Sequence, residues 1–236
     1  ASAQTYQNIG SGAVTSISGD GTIVGLSVGS AWGRWTQATG TVNIGGSTNA
    51  GNCAVSRDGT AIGGTALNTT TNLNEIGQWQ GGSTWTALGS LGASSGTSAS
   101  SGFGINDDGS MIVGLGWISA GNGHAIYWTQ ASGVVSLGST VPTRSSRANC
   151  VSADGTVIAG WQDSSTGFRQ GAVWTNTVQS LVVDGANVPC GEVLSISADG
   201  TVMSGSGNSV DGGWISTPSG VTRVPALPGQ LGSVTV

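Results

Sequence analysis

Short runs of β-branched residues, each interrupted by an Asp-Gly pair, recur along this chain. Around each pair, Ile or Val alternates with small or polar residues, and no segment shows the 3.6-residue period of an amphipathic helix. Two such runs joined by a small turn indicate a β-hairpin. Five copies follow one another: ISGDGTIVG from Ile17, VSRDGTAIG from Val55, INDDGSMIVG from Ile105, VSADGTVIAG from Val151 and ISADGTVMSG from Ile196.

A second motif follows each hairpin in phase. It begins at a Trp and ends ten residues later at a Gly in the copies from Trp35, Trp79 and Trp128, and looser copies start at Trp174 and Trp214. The Asp residues at 20, 58, 108, 154 and 199 are 38, 50, 46 and 45 residues apart, a spacing typical of propeller blades. We therefore predict an all-β fold, a β-propeller of about five four-stranded antiparallel blades, in a single domain over residues 1–236. The recurring Trp side chains are expected to pack between blades.

The Asp-Gly pairs have a structural and a chemical interpretation. Between two strands, Asp-Gly predicts a two-residue type I′ turn in which both central residues have positive φ. Repeated Asp could also suggest calcium, most of all at Asp107 and Asp108, but Ca²⁺ requires six to eight clustered oxygen ligands. We interpret the pairs as turns and expect neither a metal nor a cofactor.

One repeat carries a resemblance to a known family. WTQASGVVSLG from Trp128, followed by SSRANCVSADGTVIAG from Ser145, resembles the HAF-type extracellular repeats of bacterial secreted and autotransporter-associated proteins. The resemblance extends over nearly the whole chain. It implies a β-propeller-like array on a surface or outside the cell, and it brings no catalytic signature.

The ends of the chain and its cysteines bear on how the fold closes. Residues 5–10 are expected to form the last strand of an incomplete repeat and to pair with the unit that begins at Trp214, while the tail GQLGSVTV is a spare strand that a partner chain could pair with. Three cysteines allow at most one disulfide bond within the chain, and Cys150 and Cys190 occupy corresponding connections of adjacent units.

Charge and hydropathy exclude several classes of protein. Only 7% of residues are charged, and six Arg with no Lys face eleven acidic residues, so the net charge is −5. Such a chain has no basic surface for a phosphate backbone, and we do not expect a nucleic-acid partner. No apolar run approaches the ~18 residues of a membrane span, so membrane insertion is not expected.

Candidate binding residues lie opposite the Asp-Gly turns. In an up-and-down blade, the segments 26–34, 65–78, 115–127, 161–173 and 206–213 reach the other face, and variable loops on a rigid scaffold are common binding sites. Aromatic rings flanked by Arg and Asp suit a sugar, which offers an apolar face and hydroxyl groups, and they equally suit a protein interface. The candidates here and on adjoining connections are Trp32, Arg34, Trp117, His124, Arg144, Arg147, Trp161, Asp163 and Arg169.

We expect a non-enzymatic surface-recognition module that binds a glycan or a cell-surface receptor, as a virion component or a bacterial surface component, and therefore outside the cell or on a cell or virion surface. The first alternative is a structural assembly protein that docks on a symmetric neighbour, as a homo-oligomer or in a larger assembly. The second is a polysaccharide-active enzyme, for which Asp163 and Glu192 are the carboxylates to test. With one His and no nucleophile motif, no catalytic residue is predicted.

Overall fold

The computed structural model describes residues 8–82, 84–207 and 211–225. In these ranges the chain forms five four-stranded antiparallel sheets, each with its strands in chain order, arranged as a β-propeller. The prediction of an all-β, five-bladed propeller is confirmed. Blades 1 and 2 contain β1 (Val14–Ile17), β2 (Ile23–Val28), β3 (Ala31–Thr36), β4 (Gly40–Gly45), β5 (Ala54–Val55), β6 (Ile62–Asn68), β7 (Leu73–Trp79) and β8 (Trp85–Ala87).

The other three blades repeat this order. Blade 3 contains β9 (Ser100–Ile105), β10 (Met111–Ser119), β11 (Asn122–Thr129) and β12 (Gly133–Gly138). Blade 4 contains β13 (Ser146–Val151), β14 (Val157–Asp163), β15 (Arg169–Thr175) and β16 (Val178–Leu181). Blade 5 contains β17 (Val193–Ile196), β18 (Met203–Ser206), β19 (Asp211–Thr217) and β20 (Gly220–Pro225).

The Asp-Gly turns are not of type I′. In blade 2, the Gly59 amide donates to the Ser56 carbonyl at 2.9 Å, which closes a four-residue turn, and of Asp58 and Gly59 only Gly59 has positive φ, at 74°. The Ser56 hydroxyl and the Thr60 amide both donate to Asp58 Oδ1. The side chain of Asp58 therefore stabilises the turn in which Asp58 itself lies, and only Gly59 takes the left-handed conformation.

These turns form one face of the propeller, which we call the turn face. It carries six of the eleven acidic residues of the sequence and one arginine, whose Nε lies 3.6 Å from Asp107. Hydrogen bonds within the turns hold the pKa values of five of these carboxyls below the usual range. The acidic residues of this face are Asp20, Asp58, Asp107, Asp108, Asp154 and Asp199, and the arginine is Arg57.

The hydrophobic core lies between consecutive blades. Four of the five recurring tryptophans are at most 8% exposed, as expected: Trp79, Trp128, Trp174 and Trp214. The fifth, Trp35 in blade 1, is only half-buried. Buried hydroxyls also join blades, because Ser146 on β13 accepts from the Ala125 amide on β11 and donates to the Gly138 carbonyl.

The N-terminal segment 5–10, which was expected to close the ring as a strand, is not a strand in its described part. Residues 5–7 and the tail 229–236 lie outside the described residues, whereas residues 8–10 have no regular structure and lie beside β4. There the Ile9 carbonyl accepts from the Thr41 hydroxyl at 2.5 Å. This part of the segment therefore contacts the outer strand of blade 1.

No disulfide bond joins Cys150 and Cys190, both of which lie in the described part of the chain. Cys53 and Cys190 are fully buried. Burial raises the pKa of the Cys53 and Cys150 thiols to about 12.

Candidate recognition site

The face opposite the Asp-Gly turns holds a charged cluster built on one carboxylate. We call it the loop face, formed by the connections 29–30, 69–72, 120–121 and 164–168 within blades and 46–53, 88–99, 139–145 and 182–192 between blades. Glu192 Oε1 lies 2.5 Å from an Arg147 nitrogen, and its Oε2 lies 2.9 Å from an Arg169 nitrogen. Asn149 donates to the same Oε1 at 2.8 Å. With its side chain only 10% exposed, Glu192 is held in a single geometry by three donors.

Aromatic rings cover both guanidinium groups of this cluster. The Arg147 guanidinium carbon lies 4.3 Å from the centre of the Phe103 ring and 5.3 Å from that of Trp161. The Arg169 guanidinium carbon lies 4.2 Å from the Trp161 ring centre. These distances fall within cation–π range, so both arginines stack against Trp161. We refer to Phe103, Arg147, Asn149, Trp161, Arg169 and Glu192 as the Arg-Glu cluster.

Breaks in strand pairing bring two members into the cluster. On β9, Gly102 and Gly104 pair with successive residues of β10, which leaves Phe103 between them without a partner; on β13, Asn149 is skipped in the same way. A β-bulge of this kind re-aims a side chain. Glycine also permits close approach of the inner strands, because a Cβ at Gly104 would lie 2.7 Å from the Asn149 carbonyl oxygen. Both bulges lie on the first, innermost strand of a blade.

Regular pairing places the remaining members. Arg147 on β13 lies opposite Trp161 on β14, and Asp163 at the end of β14 lies opposite Arg169 on β15. Burial lowers the pKa of Arg147, partly offset by Glu192. Burial raises the pKa of Asp163, while Arg169 and Arg144 act in the opposite direction. Glu192 and Asp163 thus differ: the first is bound directly by arginines, and the second is mainly affected by lost hydration.

Two openings flank the Arg-Glu cluster. A cleft of about 340 Å³ lies on the side of Arg147, and a groove of about 460 Å³ lies on the side of Arg169. The cleft is lined by Asn49, Ala50, Ser95, Ser98, Ser101, Phe103, Leu115, Trp117 and Arg147. The groove is lined by Ser164, Thr166, Phe168, Arg169, Gln170, Val188 and Pro189. Each opening therefore combines an aromatic ring, an arginine and several hydroxyl or amide groups.

Phe168 is the most exposed large hydrophobic residue of the described part of the chain, at 77%. It lies in the short connection between β14 and β15, where the Ser164 amide donates to the Phe168 carbonyl at 2.8 Å and the Ser164 hydroxyl accepts from the Phe168 amide. The backbone under this exposed ring is thus held by its own loop. The neighbouring Arg169 side chain is 51% exposed.

The structure brings six of the nine predicted residues to this region. Arg147, Trp161 and Arg169 belong to the Arg-Glu cluster, and Trp117 lines the cleft. Asp163 borders the cluster, and Arg144 donates to the Ser165 carbonyl at 2.5 Å in the loop that carries Phe168.

Three predicted residues lie elsewhere. Trp32 is 2% exposed and donates to the Thr65 carbonyl, so its indole packs between blades 1 and 2. Arg34 is on β3, with its guanidinium carbon 5.9 Å from the Trp79 ring centre. His124 is on β11 within hydrogen-bonding distance of the Ser136 hydroxyl, and burial lowers its pKa.

The expectation that the segments before each Trp are loops is wrong for most of their length. Between β2 and β3 only residues 29–30 are outside a strand, and Trp32, Trp117 and Trp161 all lie within strands. The strands simply continue past the repeated motif as regular hairpins. Trp161 is consequently 5% exposed and packs under both arginines of the cluster, and its Nε1 has no hydrogen-bond partner among the described residues.

Sequence reasoning missed Phe103 and Asn149 and considered Glu192 only for the enzyme alternative. Both missed residues stand five positions before the Asp of their repeat, where the other repeats have Thr15, Cys53 and Leu194. A side chain that differs at a shared repeat position was the available signal. Phe168 lay in a predicted variable segment, but its exposure could not be read from the sequence.

No protein-family model and no curated protein sequence matches this chain. Solved propellers are similar in fold. TolB from Acinetobacter baumannii superposes with a TM-score of 0.65 at 16% identity, over 94% of this chain and 55% of that protein. A putative TolB from Agrobacterium tumefaciens superposes with a TM-score of 0.60 at 19% identity, over 90% of this chain and 79% of that protein. An oligogalacturonate lyase from Vibrio parahaemolyticus superposes with a TM-score of 0.56 at 13% identity, over 88% of this chain and 63% of that protein.

At such identities the likeness establishes the fold alone, and this chain spans about half the length of the Acinetobacter protein. The described residues contain no helix that could span a bilayer. They also contain no group of three or more His, Cys, Asp or Glu side chains placed to hold a metal ion.

Proposed function

We propose that this chain is a non-enzymatic recognition module that binds a glycan on its loop face, across the Arg-Glu cluster and the two openings beside it. The observation that carries the proposal is the pairing of an exposed aromatic ring, Phe168, with a half-exposed arginine, Arg169, whose position is fixed from behind by Glu192 and Trp161. A ring of this kind can stack on the apolar face of a sugar, and the guanidinium can donate to its oxygen atoms.

The rigidity of the cluster supports binding. Long side chains lose conformational entropy when they are ordered by a ligand, and that cost falls when they are already fixed. Arg169 is held by Glu192 and by the Trp161 ring, and Arg147 by Glu192, Asn149 and Phe103. A glycan at either opening would therefore meet preorganised donors.

The carboxylates favour binding over hydrolysis. A glycosidase of the common type needs one carboxyl group to protonate the leaving oxygen and a second to act as nucleophile or base. Both oxygens of Glu192 are bound to arginines, a geometry that stabilises the carboxylate without leaving an oxygen free to attack. We therefore assign Glu192 to positioning the arginines.

A glycan ligand is consistent with a location outside the cell, on a cell surface or on a virion, which we include in the proposal. The resemblance to HAF-type extracellular repeats supports the same setting, and so does a surface rich in Gly, Ser and Thr with no Lys.

The test is a glycan array probed with the wild-type chain and the Phe168→Ala variant. Phe168 is exposed, so its removal should leave the fold intact, and Val178→Ala on β16, a residue that is 72% exposed, is the matched control. We expect Phe168→Ala to bind about tenfold more weakly, in line with the loss of one stacking contact. Unchanged binding by Phe168→Ala, or no glycan bound by the wild type, would contradict the proposal.

A further inference from the structure

The cleft beside Arg147 presents a single charge to a ligand. Among the described residues that line this opening of about 340 Å³, Arg147 is basic, and neither an acidic side chain nor a second basic one is present. The half-buried rings of Phe103 and Trp117 give the cleft aromatic walls. Ser98 and Ser101 add hydroxyl groups whose oxygens lie 3.4 Å apart. The cleft therefore combines one positive charge with apolar walls and neutral polar groups.

The guanidinium group of Arg147 keeps N–H groups for a ligand. Of its five N–H donors, the one on Nε donates to Asn149 at 2.7 Å, and one on Nη2 donates to Glu192. The other three have no hydrogen-bond partner among the described residues. Both terminal nitrogens of Arg147 therefore retain at least one N–H group that the protein itself does not use.

Glu192 does not balance the charge of both arginines in the Arg-Glu cluster. Its two oxygens contact one guanidinium group each, so a single carboxylate faces two cations and one positive charge is left over. Arg144 and Asp163, which act on each other beside the cluster, carry opposite charges and do not alter this balance. Burial lowers the pKa of Arg147, Glu192 raises it, and the positive charge of Arg169 lowers it again. The excess positive charge thus acts on the arginine that lines the cleft.

We propose that the glycan is acidic and that a carboxylate of one of its sugar units binds Arg147 in this cleft. The inference rests on the proposed function and narrows the ligand to a glycan that contains a uronic acid or a sialic acid. A carboxylate presents two oxygens in one plane, which match two N–H groups on one edge of a guanidinium group, and such charge-assisted bonds are about twice as strong as neutral ones. The apolar face of the same sugar then packs on an aromatic wall of the cleft.

The lining favours a carboxylate over a sulfate or phosphate group. Sulfate and phosphate esters present three terminal oxygens, and proteins bind such groups with clusters of arginines. Arg147 is the only basic side chain among the described residues of the lining. One guanidinium edge satisfies the two oxygens of a carboxylate, whereas a third oxygen would have no charged donor.

Matched glycans test the class of ligand. The array carries oligosaccharides that end in glucuronic, galacturonic or N-acetylneuraminic acid, the same oligosaccharides with that carboxyl group as its methyl ester, and sulfated oligosaccharides without a carboxyl group. We expect the wild-type chain to bind the free acids about tenfold more tightly than the esters, and added salt to reduce this preference. Equal binding of acids and esters would refute the inference and leave the proposed function intact, whereas no binding of any glycan would refute both. Tighter binding of the sulfated oligosaccharides would overturn the choice of a carboxylate.

A charge added to the rim of the cleft tests where the carboxylate binds. Asn49 lines the cleft, is exposed and donates to the Thr97 hydroxyl, which can donate to a carboxylate in return. Asn49→Asp therefore adds a negative charge at nearly constant size, and we expect it to bind the acids about fivefold more weakly, the esters as before, and to keep its thermal melt. Asn43→Asp is the matched control, because Asn43 is exposed on β4 outside the cleft. Full affinity of Asn49→Asp for the acids would place the carboxylate elsewhere and overturn the inference.

Discussion

Replacing Glu192 with Gln removes the one negative charge between Arg147 and Arg169 while keeping the size of the side chain. Breaking a buried ion pair by removing one partner costs about 3–5 kcal/mol, because the other charge is left buried and uncompensated. The Arg147 side chain is 22% exposed and can gain little hydration, whereas Arg169 is 51% exposed and can be solvated in part. We therefore expect Glu192→Gln to lower the free energy of unfolding by about 2–3 kcal/mol.

The assay is urea unfolding followed by Trp fluorescence, since Trp161 lies in the cluster. For a chain of this length the loss corresponds to a fall in Tm of about 4–12 °C. The matched control is Asp107→Asn, which removes an ion pair at 3.6 Å whose side chains are 62% and 39% exposed. Such a surface pair is worth about 0–1 kcal/mol. If Glu192→Gln cost no more than Asp107→Asn, the Arg-Glu cluster would not stabilise the fold.

Three further results are expected. Ser56→Ala should cost about 1–3 kcal/mol in urea unfolding because it leaves a buried amide without its acceptor, and Ser197→Ala, in the same turn of blade 5 but half-exposed, should cost clearly less. Because hydrogen bonds, first of all from Ser56, lower the pKa of Asp58 in the folded state, its stabilising contribution is present above the ordinary Asp pKa and lost in acid. Asp58→Asn should thus destabilise at neutral pH and matter little in strong acid, as followed by denaturation over a pH series; an equal effect throughout would refute this. Cys53 and Cys150 should resist a thiol reagent under native conditions and react on unfolding, because burial raises their pKa values to about 12.

The repeat made most of the fold predictable. Asp-Gly hairpins and recurring Trp residues predicted both the strands and the blade junctions, because a repeat protein places the same position in a similar packing environment in successive blades. The type of turn was not predictable in the same way. Ser56 and Asp58 form a side-chain network around the turn, and this network competes with the type I′ backbone that Asp-Gly alone favours.

The site depends on departures from the repeat. Arg147, Trp161 and Arg169 were identifiable because the repeat does not need them, but their meeting at Glu192 depends on register across two blades. Phe103 and Asn149 occupy bulges that shift a side chain out of the alternation of a strand, and the residue types around them do not reveal that shift. The exposure of Phe168 likewise depends on how the blades pack, so the sequence alone does not show it.

The distribution of charge on the two faces gives the molecule an electrical polarity. The turn face holds six carboxylates and one arginine, which together equal the net charge of −5 of the whole chain, so the remainder is neutral overall. Near an anionic surface, the electric field of that surface should repel mainly the turn face and so rotate the turn face away from the surface. The effect operates within about one Debye length, roughly 8 Å at physiological ionic strength. A propeller brought close to such a surface should therefore turn its loop face toward it, and added salt should randomise that orientation.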